Sequence, residues 1–452
     1  MSLAFTLARF VAGLEIETLP EDVVEKARAC VLNGYGIALG SHTTDFFPVA
    51  ARAVLAQDCA RDDGATLLRD GRKSTPAGAA FANAALFHGR AQEDTCGVAH
   101  FGAILLPLLT ALVEVGQGRI EDFLPALVAG YEAGGLFEAA YAPATIAAGL
   151  RATPLYGTLA AAAAAARLWR LSEERTAAAL ANAASFSGGI LQSFGDGTDE
   201  WRYQVGIAGR NGLMAAALAA QGSVSAANAF EGNAGFVRAF VRRDCDVAAL
   251  EAGLGREWAV QRVTFKPYPV CALNQTPVTA ALALRAQLGT STDGVKAVHV
   301  RLNPTVVGYA GMDSRGPFAS VSGTLMSIQF CVATTLIHGV PTIARMQAFD
   351  DGPVNRLIPK ITPQADAALG LLSCRLEVEF EDGRPPRVVE RNVDHAAYSY
   401  SREEVSALVR RIGDETGVSG QAYDRLERFA ATLPHATLSD VLDAFKEVQR
   451  PV

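Results

Sequence analysis

Three short polar islands interrupt an otherwise apolar chain, and each carries residue types that can move a proton or hold an anion. The first reads Gln92-Glu93-Asp94-Thr95-Cys96-Gly97-Val98-Ala99-His100-Phe101-Gly102 and lies between two apolar helical patterns. Junctions of that kind are where sites collect. His100 stands just before a helix that begins near Gly102, and its imidazole titrates near neutral pH, so it can serve as acid or base. A helix-entry histidine bonded to backbone is the structural alternative. The second island is Gly195-Asp196-Gly197-Thr198-Asp199-Glu200-Trp201-Arg202-Tyr203-Gln204, directly before a helix that carries Arg210. Its glycines make a turn, while Arg202 and Arg210 offer planar cations that match a carboxylate. An Asp–Arg pair holding the loop would use the same residues.

The third island, Lys266-Pro267-Tyr268-Pro269-Val270-Cys271-Ala272-Leu273-Asn274-Gln275, places one of only six lysines inside a rigid Pro-x-Pro segment at an expected domain junction. Its alternative is a linker lysine pointing to water. Arg151, within Gly149-Leu150-Arg151-Ala152-Thr153-Pro154, precedes an alanine-rich run, where the positive end of a helix dipole already favours an anion. A surface arginine would look the same in sequence. His42, His88, His299, His338, His395 and His435 show no metal-ligand spacing and read as structural.

The elements that must position these islands are mostly helical. Apolar residues recur at three and four positions over 19–39, 76–88, 120–137, 157–170, 173–184 and 206–221, which predicts one bundle. The run 160–166 is all alanine, so a neighbouring helix can approach it closely and central burial follows. After Lys266 the texture changes. A helix over 276–288 precedes an alternating segment, Val295–Leu302, whose Val298, Val300 and Leu302 form one apolar face. A second alternating segment, 375–380, turns through Asp382-Gly383 into 387–390 and predicts a β-hairpin, with helices over 325–338 and 341–348 between the strands. Helical patterns return over 402–416, 422–432 and 438–448. The fold class is therefore mostly α: a large, discontinuous helical bundle domain, 1–266 with 397–452, and a smaller α+β domain, 267–396.

At 452 residues, half of them apolar, the chain can bury a large core in more than one domain. The net charge of −7, without a basic run, argues against a nucleic-acid surface. No signal peptide is read at the start, because Arg9 interrupts the apolar stretch and acids follow it. The longest apolar stretches, 101–115 and 157–166, are too short to span a membrane, so a soluble, cytoplasmic protein is expected. The seven cysteines form no CxxC pair, which suits a reducing compartment and disfavours structural zinc or an iron–sulfur cluster.

Taken in order, Glu93-Asp94-Thr95 with His100, the stretch 149–169, Gly195-Asp196-Gly197-Thr198, Arg210-Asn211-Gly212-Leu213, Phe230-Glu231-Gly232 with Gly235-Phe236, and Lys266-Pro267-Tyr268-Pro269 resemble the landmarks of MmgE/PrpD proteins. That family includes 2-methylcitrate dehydratase, cis-aconitate decarboxylase and iminodisuccinate epimerase. The resemblance implies a helical domain completed by C-terminal helices, a small α+β domain, a homodimer and a cleft between domains. It also implies Thr95, His100 and Lys266 as catalytic residues. The chain departs from the family at several positions. Ala91 stands where an aspartate is usual, Arg151 where histidine is frequent, Trp201 where lysine is common, and Gln204-Val205 replaces a His-Pro pair. Cys271 falls where cysteine or histidine occurs, and Ala272-Leu273-Asn274 replaces a basic or histidine-rich stretch.

The family's reactions remove a proton or carboxylate at a carbon flanked by carboxylates. Without a metal, the resulting charge must be held by fixed cations and hydrogen-bond donors. The resemblance thus implies a cofactor-independent lyase or isomerase acting on a small di- or tricarboxylate, as 2-methylcitrate dehydratase does. His100 would transfer the proton, Thr95 would orient substrate or water, and Arg151, Arg202 and Lys266 would supply cations. Asp94, Trp201, Tyr203, Gln204 and Cys271 complete the candidate substrate contacts. An epimerase or decarboxylase on a related acid remains open, as does an inactive binding or assembly protein, for which the departures argue.

Overall fold

The structure, a computed structural model, describes residues 2–289 and 292–452. Its most buried element is the helix Ala152–Leu168, in which every residue is buried. Alanine side chains lose no rotamer entropy in a helix and present almost no bulk, so the run tolerates neighbours on all sides. The helix begins earlier than the periodicity over 157–170 predicts, because Pro154 sits in its first turn, where a missing N–H costs nothing. Against it pack Gly102–Glu114, Phe123–Ala147 and Glu173–Phe186. The helix Phe123–Ala147 runs ten residues beyond the predicted 137, through a segment in which Tyr141 and Ala142 are buried while Ala139, Ala140, Pro143 and Ala147 are exposed.

The chain divides into two compact units. The first comprises Met1–Ile190, Arg202–Phe265 and Tyr400–Val452, and the second Leu191–Trp201 and Lys266–Ser399. The expected division was 1–266 with 397–452 against 267–396, so the units differ from it chiefly in the segment Leu191–Trp201. In the helical unit the last three helices, Arg402–Thr416, Gly420–Thr432 and Ser439–Lys446, pack onto Glu21–Gly40. A Cβ on Gly36 or Gly40 would come within 2.4 Å of Val409 or 2.2 Å of Ile412, so these glycines form the bed in which Arg402–Thr416 lies. Phe429 adds edge-to-face contacts with Tyr35 and Phe123, at centroid distances of 5.7 and 6.1 Å.

The second unit is built on a four-stranded sheet of order Ile361–Ala365, Val295–Leu302, Cys374–Phe380 and Arg387–Arg391. The hairpin and the apolar face of Val295–Leu302 follow the sequence pattern, and Val298, Val300 and Leu302 are all buried. Ile361–Ala365 has no counterpart among the expected elements. It pairs parallel to Val295–Leu302 at the sheet edge, the one position where a strand containing Pro363 loses no ladder bond it needs. The helix expected over 341–348 is a single turn, Ile343–Met346. Helices Gln275–Leu288 and Ile328–His338 pack together beside the sheet. No described helix is long and apolar enough to cross a membrane.

Candidate active site

In the helical unit, the helix Pro76–Phe87 ends at the buried His88, and the chain then enters the first polar island. Ala91 there has φ +56°, a left-handed conformation that costs an alanine roughly 1 kcal/mol and that an aspartate or asparagine tolerates better. Thr95-Cys96 forms a two-residue strand against Val263-Thr264, with Thr95 opposite Thr264. The chain then reverses through a turn closed by Cys96 and Ala99, whose N–H groups each donate to the other's carbonyl at 2.8 and 3.0 Å. Gly97 in that turn has φ +60°, and its Cα lies so close to the carboxylate of Glu138 that a Cβ would meet Glu138 Oε1 at 2.2 Å. The same carboxylate accepts the Val98 N–H at 2.9 Å. The turn thus fixes the spacing between Thr95 and His100.

His100 is held from several directions. Its backbone N–H donates to Thr153 Oγ1 at 3.3 Å, in the first turn of Ala152–Leu168. Its ring Nδ1 lies 2.9 Å from the Asp94 carbonyl oxygen and 3.4 Å from Glu93 Oε1. Both neighbours are acceptors, so the proton sits on Nδ1 and Nε2 is the basic nitrogen. The backbone bond of the structural alternative is therefore present, and it serves to set the tautomer. Asp94 is buried, with its carboxylate receiving the Tyr131 hydroxyl, which orients its carbonyl toward His100. Lys26 is buried nearby with its ammonium 4.6 Å from the ring centroid of Phe265. Burial lowers its pKa, against the pull of Cys30 and Asp94. The Thr95 hydroxyl is buried and makes no hydrogen bond among the described residues.

From His100 the network continues inward. Glu93 Oε2 lies 3.2 Å from Nδ1 of His88, and Nε2 of His88 lies 2.8 Å from Nη2 of Arg151. Arg151 is the N-cap residue of Ala152–Leu168, and its Nη1 donates to Gln204 Oε1 at 3.1 Å. Gln204 in turn donates to the Ile190 carbonyl at 3.1 Å. Arg202 is fully buried, gives Nη1 to the carbonyls of His88 and Gly89 at 2.9 and 2.7 Å, and stacks over Phe46 at 3.8 Å. It shapes the main chain at the entrance to the island. Tyr203 packs on the helical core, and Arg210 lies 3.9 Å from Asp58, an acid outside the loop.

The remaining candidates belong to the second unit. Lys266 opens its longer segment and is buried. Trp201 donates its indole N–H to Ser322 Oγ at 3.0 Å, which donates to Asp199 at 2.7 Å, and its ring lies 5.3 Å from that of Phe194. Cys271 caps the short turn Ala272–Asn274, with its backbone N–H on Leu325 O at 3.1 Å. Among the described residues no group of three His, Cys, Asp or Glu is placed to hold a metal ion. The structure therefore joins Asp94, Thr95, His100, Arg151, Arg202 and Gln204 in one unit, and Lys266, Cys271 and Trp201 in the other. Sequence reasoning missed the parts of His88, Glu93, Tyr131 and Lys26. His88 closes the helix that leads into the island, a position that by itself does not set it apart in sequence.

A helical unit that brings a glutamate-backed histidine to the start of a buried alanine helix, with an α+β unit inserted before its last helices, defines a class of fold rather than a single activity. The chain belongs to the MmgE/PrpD family: residues 6–247 match the model of the MmgE/PrpD N-terminal domain and residues 268–416 that of the C-terminal domain. It is 27% identical over 406 residues to the cis-aconitate decarboxylase-like protein oryM of Aspergillus oryzae, covering 83% of each chain. It is 27% identical over 408 residues to a cis-aconitate decarboxylase of Aspergillus terreus, covering 83% of this chain and 82% of that one. Cis-aconitate decarboxylase of Homo sapiens is 25% identical over 404 residues, covering 84% of this chain and 81% of its own.

Proposed function

We propose that this protein is a lyase or isomerase acting on a small di- or tricarboxylate, with His100 transferring a proton at a carbon next to a carboxylate. The observation that carries the reading is the tautomer of His100: Nδ1–H is committed to the Asp94 carbonyl and faces Glu93, which makes Nε2 the base. When Nε2 takes a proton, the imidazolium forms beside the Glu93 carboxylate, which stabilises it. Arg151 would bind a substrate carboxylate, and Thr95, held in its two-residue strand opposite Thr264, would orient substrate or water. The reaction as proposed uses no cofactor. The same carbanion arises by loss of carbon dioxide, with protonated His100 then delivering its proton. The names of the relatives favour that decarboxylase reading over dehydration or epimerisation.

The test is proton NMR in deuterium oxide with cis-aconitate, 2-methylcitrate, citrate, malate and iminodisuccinate. One acid should lose carbon dioxide, eliminate water or exchange its α-proton, and His100→Ala should slow that reaction by about 10²–10⁴-fold. Its melting temperature should stay within a few degrees of the parent. Turnover surviving at a similar rate would make His100 the wrong base, and a panel without any exchange would favour a binding protein.

We further propose a homodimer through the outer face of Glu200–Ala220, where Ile207, Met214 and Leu218 are exposed at helical spacing, with Ile190 and Val224 also exposed. A second copy offers the matching apolar face by symmetry. Light scattering should give the dimer mass for the parent and the monomer mass for Met214→Glu with Leu218→Glu. A dimer that persists in the double variant would move the interface elsewhere.

A further inference from the structure

We propose that His88 and Glu93 are positioning residues, a proton-fixed array that seats Arg151 at one end and aims His100 at the other. Their part in turnover rests on the reaction proposed above, whereas the array itself does not. A guanidinium has donors only, so at 2.8 Å from Arg151 Nη2 the Nε2 of His88 must accept. His88 is then neutral, with its single ring proton on Nδ1, 3.2 Å from Glu93 Oε2. The second oxygen of Glu93 faces the Nδ1–H of His100 at 3.4 Å. The array therefore reads Arg151 N–H donating to His88 Nε2, with the Nδ1–H groups of His88 and His100 both facing the Glu93 carboxylate at ion-pair distance.

Two features make this order rigid. His88 is fully buried, so solvent does not compete for its ring, and the rings of His88 and His100 stand 5.4 Å apart. Its main chain is pinned as well, through the carbonyl that accepts from Arg202 Nη1 at 2.9 Å. An imidazolium at His88 would set an N–H against the guanidinium N–H, two donors of like charge. During turnover the proton taken from the substrate carbon goes to His100 Nε2, and neither Glu93 nor His88 changes protonation. The array supplies direction and charge balance, and Arg151 reaches its substrate carboxylate from a fixed seat.

The experiment uses the full chain labelled with ¹⁵N-histidine, observed through long-range proton–nitrogen correlations between pH 6 and 8. One ring, absent in His88→Gln, should show the neutral Nδ1–H pattern without titrating. An Nε2–H pattern or a protonated ring at residue 88 would overturn the proposal. Kinetics on the acid that reacts give the second readout. His88→Phe fills similar volume without hydrogen bonds and should raise KM and lower kcat, each at least tenfold. His88→Gln, whose amide can accept from Arg151 and donate to Glu93, should recover most of both. Loss of folded protein with unchanged KM and kcat in His88→Phe would mean a purely structural histidine and refute the positioning role. If no acid reacts, the functional reading fails and the ring spectrum alone decides the array.

Discussion

Glu132 and Glu138 lie on the same helix, Phe123–Ala147, and both are buried. Glu132 accepts the N–H groups of Ala259 and Val260 at 2.9 and 3.1 Å, while Glu138 holds the turn before His100. Burial pushes each carboxyl up to about 7, against the pull of those N–H groups and of Arg262. An unfolded glutamate titrates near 4.5. Between those values the folded chain keeps protons that the unfolded chain has released, so their contribution to stability is complete below about 4.5 and is lost as pH rises through about 7. The expected outcome is an unfolding free energy in urea lower at pH 8 than at pH 6, by on the order of a kcal/mol or more, with a lower midpoint, and a smaller difference in Glu132→Gln with Glu138→Gln. A midpoint that rises with pH would show that these acids are already ionised. At this scale the sequence was informative where polarity was concentrated: Thr95, His100 and Arg151 stood out because apolar helices flank them. His88 did not, since a single histidine at the end of an apolar helix has no spacing to advertise it, and Lys26 enters from a helix remote in sequence.

Periodicity made most helices and the hairpin legible, because a half-buried element repeats its apolar face. It was silent about Ile361–Ala365, whose Pro363 argues against a strand until its edge position is known. It also ended Phe123–Ala147 early, since beyond 137 small residues such as Ala139, Ala140 and Ala147 are exposed and break the contrast between an apolar and a polar face. The alanine run was readable as a site of close approach, and the geometry shows how close. A Cβ on Gly212 would lie 2.4 Å from the Ala161 Cβ and 2.7 Å from the backbone at Thr158 and Ala162. Backbone cannot move aside as a flexible side chain can. Gly212→Ala should therefore destabilise the helical unit by about 1–3 kcal/mol despite the better helix propensity of alanine. Chemical denaturation checks the sign, and a stabilised variant would mean that Ala152–Leu168 and Glu200–Ala220 are less tightly apposed.

For the molecule as a whole, the decisive fact is that Tyr400–Val452 belongs to the unit that the N-terminal residues begin. The returning helical pattern after 400 made this readable from sequence, whereas the membership of Leu191–Trp201 depends on single hydrogen bonds such as Trp201 to Ser322, which no periodicity encodes. A chain stopped at Ser399 would lose Val405, Leu408, Val409, Ile412 and Phe429 from the core, each burial contributing roughly 1.5–3 kcal/mol. That sum is as large as the net stability of an ordinary domain, so the truncated chain should be insoluble or lack a cooperative melting transition. A cooperative transition near that of the full chain would refute the discontinuous unit. The same arrangement has a temporal side. On the ribosome, Gly36 and Gly40 emerge long before the residues that cover them, and at ordinary elongation rates the gap is roughly tens of seconds. Throughout that interval the nascent bundle is an open groove lined with apolar side chains, a natural client for holding chaperones, and it closes once Val409 and Ile412 have emerged to cover it.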